Sequence, residues 1–170
     1  MKKYEEFINA LQYVDQGDNK SAYDKLTELI NDNLELENKT LYYDALYARA
    51  SLDIANLNLH IDDSIDDLKI LIANRTRYVK ESYSLATLVY DHLEMPDEVI
   101  EYGTKALELD APFTSEIAYA LAKAYASRGT KSSYLEALKY IDTCIDNPYG
   151  ELEWVQRDDR SRCMERQGWE

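Results

Sequence analysis

The segment 118–148 reads AYALAKAYASRG (118–129) and, after a short break, YLEALKYIDTCIDNP (134–148). In both pieces small and apolar residues recur every three or four positions: Ala118, Leu121, Ala122 and Tyr125, then Ala137, Leu138 and Ile141. Gly129 lies between the pieces, and glycine readily adopts the left-handed backbone that ends a helix. The segment therefore predicts two amphipathic helices joined by a tight turn.

The same spacing continues along the chain and predicts an all-α fold. We expect four helix pairs, at about 4–33, 41–73, 77–110 and 115–147, followed by a more polar capping helix at about 151–167. The polar stretch 31–39 predicts a loop within this series. Strand-like alternation is absent over any useful length. The length of 170 residues predicts one domain, spanning 1–170.

The second helices of the four pairs are similar to one another. They are KSAYDKLTELI, DDSIDDLKILI, PDEVIEYGTKAL and YLEALKYIDTCI. One slot of this alignment holds a residue suited to close helix–helix approach, namely Ala22, Ser64, Val99 and Ala137, spaced 42, 35 and 38 residues apart. Paired helices at such a period predict a stacked solenoid, because one pair alone cannot bury its apolar face.

These repeats resemble the tetratricopeptide repeat family over about 4–148. The resemblance is carried by 118–148, by YSLATLVYDHLEMPDEVIEYGTKALELDAP (83–112) and by NALQYVDQGDNKSAYDKLTELI (9–30), with ALYARASLDIAN (45–56) the loosest match. It implies a right-handed superhelix in which the first helices line a concave face that holds a peptide or partner helix. Gly103 departs from the family, which prefers an aromatic residue there, and Thr87 fills the small slot of the third pair.

The register of the resemblance implies eight residues of a partner-binding groove. They are Leu11, Tyr47, Arg49, Ser84, Leu88, Asp91, Tyr119 and Lys123. Tyrosine is favoured at interfaces because it is large and stiff and carries a polar tip. Two bases and an acid make a poor clamp for a carboxylate, so the mixed aromatic and acidic groove favours a basic or amphipathic segment as partner.

The charge balance excludes some classes of partner. Asp and Glu total 33 against 19 Lys and Arg, which leaves a net charge of −14. A nucleic-acid partner is therefore not expected, since phosphate binding requires a basic surface. No apolar run approaches the roughly 18 residues of a membrane span, and no membrane partner is expected. The two cysteines, Cys144 and Cys163, are too few for a disulfide framework and predict a cytoplasmic protein.

Motifs that carry enzyme chemistry are missing from the sequence. It contains no nucleophile elbow, P-loop or dinucleotide fingerprint, and His60 and His92 lack the spacing of a zinc protease. The acids Asp62, Asp63, Asp66 and Asp67 lack the glycine and the final glutamate of a calcium loop, and acids in a first turn also oppose the helix dipole. We expect no catalytic residue, no metal site and no cofactor.

The sequence thus leaves three functional hypotheses in order of preference. The first is a non-catalytic adaptor that binds a protein or peptide on its concave face. The second is a structural or self-associating subunit of a larger assembly, such as a homo-oligomer. The third is an enzyme that acts on a small molecule or depends on a metal.

Overall fold

The computed structural model describes residues 2–55 and 60–145, and this part of the chain contains helices and turns but no β-strand. Its helices are α1 (Lys2–Asp15), α2 (Asn19–Leu29), α3 (Glu35–Glu37), α4 (Lys39–Ala55), α5 (Ile61–Ala73), α6 (Val79–His92), α7 (Pro96–Glu108), α8 (Thr114–Ser127) and α9 (Lys131–Ile145). The prediction of an all-α fold is confirmed for these residues. The predicted capping helix at 151–167 lies outside them.

Contacts divide the chain into two compact units, unit 1 (Met1–Leu85) and unit 2 (Ala86–Glu170), with the boundary inside α6. Helices that follow one another pack together within each unit: α1 on α2, α2 on α4 and α4 on α5 in unit 1, and α7 on α8 and α8 on α9 in unit 2. The single domain expected from the length stays a prediction.

The shared slot of the second helices is buried in all four cases. Ala22, Ser64, Val99 and Ala137 each expose 1% of their surface or less. Small and β-branched side chains at these positions let each second helix approach its neighbours closely. The slot that the alignment identifies is therefore buried in every second helix.

The stretch 31–39 differs from the predicted loop. A kinked turn, Ile30–Leu34, joins α2 to the single helical turn α3. Asp32 and Asn33 have non-helical dihedral angles, with Asn33 at φ 55°, and so bend the chain. Leu34 is fully buried in the core of unit 1. Leu34 therefore attaches this segment to the core, whereas Leu36 in the same stretch is 86% exposed.

Gly103 on α7 lies where side chains of α6 and α8 approach α7 closely. A Cβ atom built on it would lie 3.0 Å from Cγ of Leu121 on α8 and 3.1 Å from Cγ2 of Thr87 on α6. All three residues are buried. The glycine that departs from the repeat pattern therefore makes room for the two neighbouring side chains.

The turns that follow α1, α6 and α8 share one backbone geometry. Each contains one residue in the left-handed conformation: Gly17 with φ of 76°, Glu94 with φ of 56° and Gly129 with φ of 68°. The turn at Glu94 is closed by a hydrogen bond from the Met95 amide to the Tyr90 carbonyl at 3.0 Å, a pattern typical of helix ends. Glycine adopts this left-handed conformation without steric cost, whereas the side chain of Glu94 does not.

Replacing Glu94 with glycine is therefore expected to raise the free energy of unfolding. Relief of the left-handed strain outweighs the added freedom of the unfolded chain by about 0.5–1 kcal/mol. Chemical denaturation measures the change. As a control, Glu101→Gly on the exposed side of α7 is expected to lower stability by about 1 kcal/mol. Equal destabilisation by both variants would contradict the argument.

Candidate partner-binding site

Three of the predicted groove residues meet on the surface of unit 2. The ammonium of Lys123 on α8 donates a hydrogen bond to Oδ2 of Asp91 on α6 at 2.7 Å. The same nitrogen lies 5.1 Å from the centre of the Tyr119 ring, one helical turn earlier on α8. The side chains of Lys123 and Asp91 are 45% and 25% exposed. We call Asp91, Tyr119 and Lys123 the cation triad, because the Asp91 carboxylate and the Tyr119 ring both contact the Lys123 ammonium.

An open pocket of about 380 Å³ adjoins the cation triad, and Asp91 and Lys123 belong to its wall. Val99 and Ala124 are buried lining residues, and Met95 is a more exposed one. Pro96 is the first residue of α7, and its fixed φ angle restricts the backbone of the first helical turn, between Met95 and Val99. The pocket thus places an apolar wall beside a carboxylate and an ammonium group.

An ion pair joins the ends of α7 and α8 near this pocket. Nη2 of Arg128 donates to Oδ1 of Asp97 at 2.6 Å, and the guanidinium lies 5.7 Å from the centre of the Tyr125 ring. Both charged side chains are largely exposed, so the pair adds little stability. Leu88, another predicted groove residue, is half-buried on α6 one turn before Asp91.

In unit 1 the predicted residue Tyr47 belongs to an aromatic cluster. Its ring stacks on Tyr78 with 4.2 Å between centres and 6° between planes. The Tyr78 hydroxyl donates to Oδ1 of Asp44 at 2.9 Å, and Arg77 donates to the same oxygen at 2.7 Å. Burial, together with the hydrogen bond to Asp44, raises the pKa of the Tyr78 phenol. Leu11, also predicted, is half-buried on α1.

Arg49 does not lie on an open surface, which corrects its place among the groove residues. Its Nε and Nη2 atoms donate to both oxygens of Asp67 on α5 at 2.8 Å, and Nη1 donates to Thr27 on α2 at 3.1 Å. Arg49 and Asp67 expose 8% and 2% of their surfaces. Burial raises the pKa of the Asp67 carboxyl, and the guanidinium opposes this rise. Arg49 therefore joins three helices rather than binding a partner.

Further buried polar contacts surround this ion pair. The Tyr23 hydroxyl donates to Oδ2 of Asp63 at 2.7 Å, and burial and that bond raise its pKa. Asp53 is buried and accepts hydrogen bonds from the Ser64 hydroxyl at 2.7 Å and the His60 amide at 3.1 Å. Of the four clustered acids of α5, Asp63 therefore has Tyr23 as its partner and Asp67 has Arg49.

Ser84, another predicted groove residue, does not lie on the candidate surface either. It is fully buried, and its hydroxyl donates to the Lys80 carbonyl one turn earlier on α6, at 3.3 Å. A serine side chain is short enough to bond its own helix backbone, and this keeps it close to the helix. Ser84 therefore has no exposed surface to offer a partner.

One feature of the sequence signals the buried ion pair, namely an aspartate on the apolar face of α5. The buried residues of α5 are Ser64, Asp67, Leu68 and Leu71, which form one helix face. An aspartate on a buried face requires a cationic or donating partner, because an unpaired buried charge is very costly. That requirement points to Arg49, the arginine of the preceding helix.

A larger pocket of about 690 Å³ lies between α1 and α2. Its lining includes Glu6, Gln12, Gln16 and Glu28, and it contains no predicted groove residue. Tyr13 and Leu29 give this pocket apolar surface as well, but the predicted groove residues Asp91 and Lys123 line the smaller pocket instead. The pocket beside the cation triad is therefore the stronger candidate.

The described residues contain no group of three or more His, Cys, Asp or Glu side chains that could hold a metal ion. His60 is exposed and stacks on the Tyr23 ring at 4.1 Å, and His92 is exposed at the end of α6. Within the ranges 2–55 and 60–145, no helix combines the length and apolar character needed to cross a bilayer.

Comparison with models of known protein families finds no match, and comparison with curated proteins finds no significant similarity.

Proposed function

We propose that this protein is a cytoplasmic, non-catalytic module that binds a protein or peptide, and that its helix pairs stack as a tetratricopeptide-like right-handed superhelix. The observation that carries the proposal is the cation triad beside an apolar pocket on unit 2. The working residues are Leu88, Asp91, Tyr119 and Lys123 on unit 2. Leu11 and Tyr47, on unit 1, stay separate predictions.

The chemistry of this surface suits recognition of a polypeptide. Binding energy at protein interfaces concentrates in aromatic and charged side chains next to well-packed apolar pockets. Tyr119 supplies a stiff aromatic anchor, and Met95, which is 36% exposed, supplies the accessible part of an apolar wall backed by Val99 and Ala124. Asp91 and Lys123 form a polar rim that fixes orientation more than affinity.

The stacking of helix pairs is supported by two repeated features. The second helices bury the same slot, at Ala22, Ser64, Val99 and Ala137. Three of the turns that follow first helices use a left-handed residue. Adjacent helices pack on one another in each unit, which is consistent with a repeat array.

A self-associating subunit is the second candidate, and α1 favours it. Tyr4 is 59% exposed, and Ile8 and Val14 also expose much of their apolar surface. Tyr4 and Ile8 are one helical turn apart and so lie on one face of α1. Light scattering of the full chain distinguishes this candidate, because a self-associating chain gives a mass above that of the monomer.

Affinity capture with matched variants tests the proposed binding site. We expect Tyr119→Ala to reduce capture of the specific partner at least about tenfold, the effect of losing an aromatic anchor. Tyr4→Ala, a tyrosine removed from the exposed face of α1, should leave capture unchanged. Quantitative mass spectrometry of proteins retained by the wild type and both variants gives the comparison. Loss at Tyr4 with none at Tyr119 would reject the site on unit 2.

A further inference from the structure

We infer that Asp91 and Tyr119 form a recognition site for an arginine or lysine side chain of a basic amphipathic partner, and that Lys123 fills this site in the free protein. The inference rests on the proposed binding function. It adds the chemistry of the partner and assigns Lys123 the role of an internal competitor.

The geometry of the triad is that of an occupied cation site. The Lys123 ammonium lies 2.7 Å from a carboxylate oxygen of Asp91 and 5.1 Å from the centre of the Tyr119 ring. A carboxylate and an aromatic face are the groups with which proteins bind ammonium and guanidinium ions. The site therefore already holds a cation, supplied by the chain itself.

Lys123 is easy to displace from this site. Its side chain is 45% exposed, and an exposed lysine–carboxylate pair is held weakly because water competes for both charges. A guanidinium is planar, donates two parallel hydrogen bonds to one carboxylate and stacks on aromatic rings. An incoming arginine would therefore bind Asp91 and Tyr119 better than Lys123 does.

The neighbouring pocket adds a second requirement for the partner. Asp91 and Lys123 line it together with Met95, Val99 and Ala124, so the cation site and the apolar wall are continuous. A leucine-sized side chain one helical turn from an arginine could occupy the pocket while the arginine binds Asp91. This spacing is that of an amphipathic helix laid along a groove.

Charge around the pocket favours the same partner. Glu94 also lines the pocket and is exposed, so the lining holds two carboxylates and one ammonium group. The chain as a whole carries a net charge of −14. Such a surface attracts basic segments and repels acidic ones during encounter.

The opposite assignment would make Lys123 the recognition group for an acidic partner. The two assignments predict opposite effects of removing its charge. If Lys123 competes with the ligand, Lys123→Gln tightens binding of a cationic peptide. If Lys123 recognises the ligand, the same variant weakens binding.

Two synthetic helical peptides, capped at both ends, test the inference on the full chain. Both carry one leucine on an alanine–glutamine background, and one turn away the first has arginine and the second glutamine. Calorimetry measures their Kd values. We expect the arginine peptide to bind about fivefold more tightly, as an exposed cation site implies, and Asp91→Asn to remove this preference. Lys123→Gln should tighten binding of the arginine peptide about threefold.

Lys139→Gln is the matched control, because Lys139 lies on α9, paired with Glu136, and its loss changes the net charge equally. It should leave both Kd values unchanged. Equal binding of the two peptides to the wild type would overturn the cation site, and weaker arginine-peptide binding to Lys123→Gln would overturn the competitor role. Binding of neither peptide would overturn the inference, while capture by the Tyr119→Ala variant decides the proposed function separately.

Discussion

Replacing Asp67 with asparagine is expected to lower the free energy of unfolding of unit 1 by about 4 kcal/mol, because the change leaves the buried Arg49 guanidinium without its counter-charge. Asparagine keeps the shape of the side chain but offers one acceptor oxygen, whereas Arg49 donates to both oxygens of Asp67 at 2.8 Å. Water cannot compensate, since Arg49 is only 8% exposed. Urea unfolding, with hydrogen exchange of α4 and α5, measures the loss.

Two variants sharpen this experiment. The double substitution Arg49→Met and Asp67→Leu replaces the ion pair by apolar side chains, and we expect stability within about 1 kcal/mol of the wild type. Glu136→Gln breaks the exposed pair with Lys139 and should leave stability almost unchanged. An Asp67→Asn variant as stable as Glu136→Gln would show that the buried pair does not hold α4 on α5.

Replacing Gly103 with leucine is expected to destabilise unit 2 by about 3 kcal/mol, through overpacking of a filled core. The new Cβ alone would lie 3.0 Å from Leu121 and 3.1 Å from Thr87, which are both fully buried, so a longer side chain has to displace them. α7 would have to move away from α6 and α8. Thermal and chemical unfolding of the full chain report the change.

Removing the neighbour should rescue part of this loss. In the background of Gly103→Leu, Leu121→Ala is expected to restore stability, although the same substitution alone costs about 3 kcal/mol by leaving a cavity. Glu101→Leu, on the exposed side of α7, adds the same side chain and should change stability by less than about 0.5 kcal/mol. Equal effects of Gly103→Leu and Glu101→Leu would contradict the close approach.

The fold was predictable to the extent that local periodicity determines it. Helical spacing identified the helices, and the alignment of second helices identified a slot that is buried at Ala22, Ser64, Val99 and Ala137. Tyr119 and Lys123 could be placed together because residues four apart share a helix face. Their partner Asp91 came from the repeat register, since the first helices of adjacent pairs contribute to one surface.

Contacts between distant segments were beyond the reach of these patterns. Asp67 falls on the apolar face of α5, which calls for a partner, but only the packing of α4 on α5 brings Arg49 to it and buries the pair. Leu34 and Leu36 both lie in the polar stretch 31–39, and no periodicity distinguished the buried Leu34 from the exposed Leu36. The space around Gly103 depends on side chains from two other helices.

The affinity of a purified partner for the wild type and for Tyr119→Ala tests the central claim, that this surface of unit 2 recognises a polypeptide. The partner is the protein whose capture distinguishes Tyr119→Ala from Tyr4→Ala. We expect its Kd to rise at least about tenfold in Tyr119→Ala, with the thermal unfolding midpoint preserved. An unchanged Kd in a folded Tyr119→Ala chain would contradict the claim.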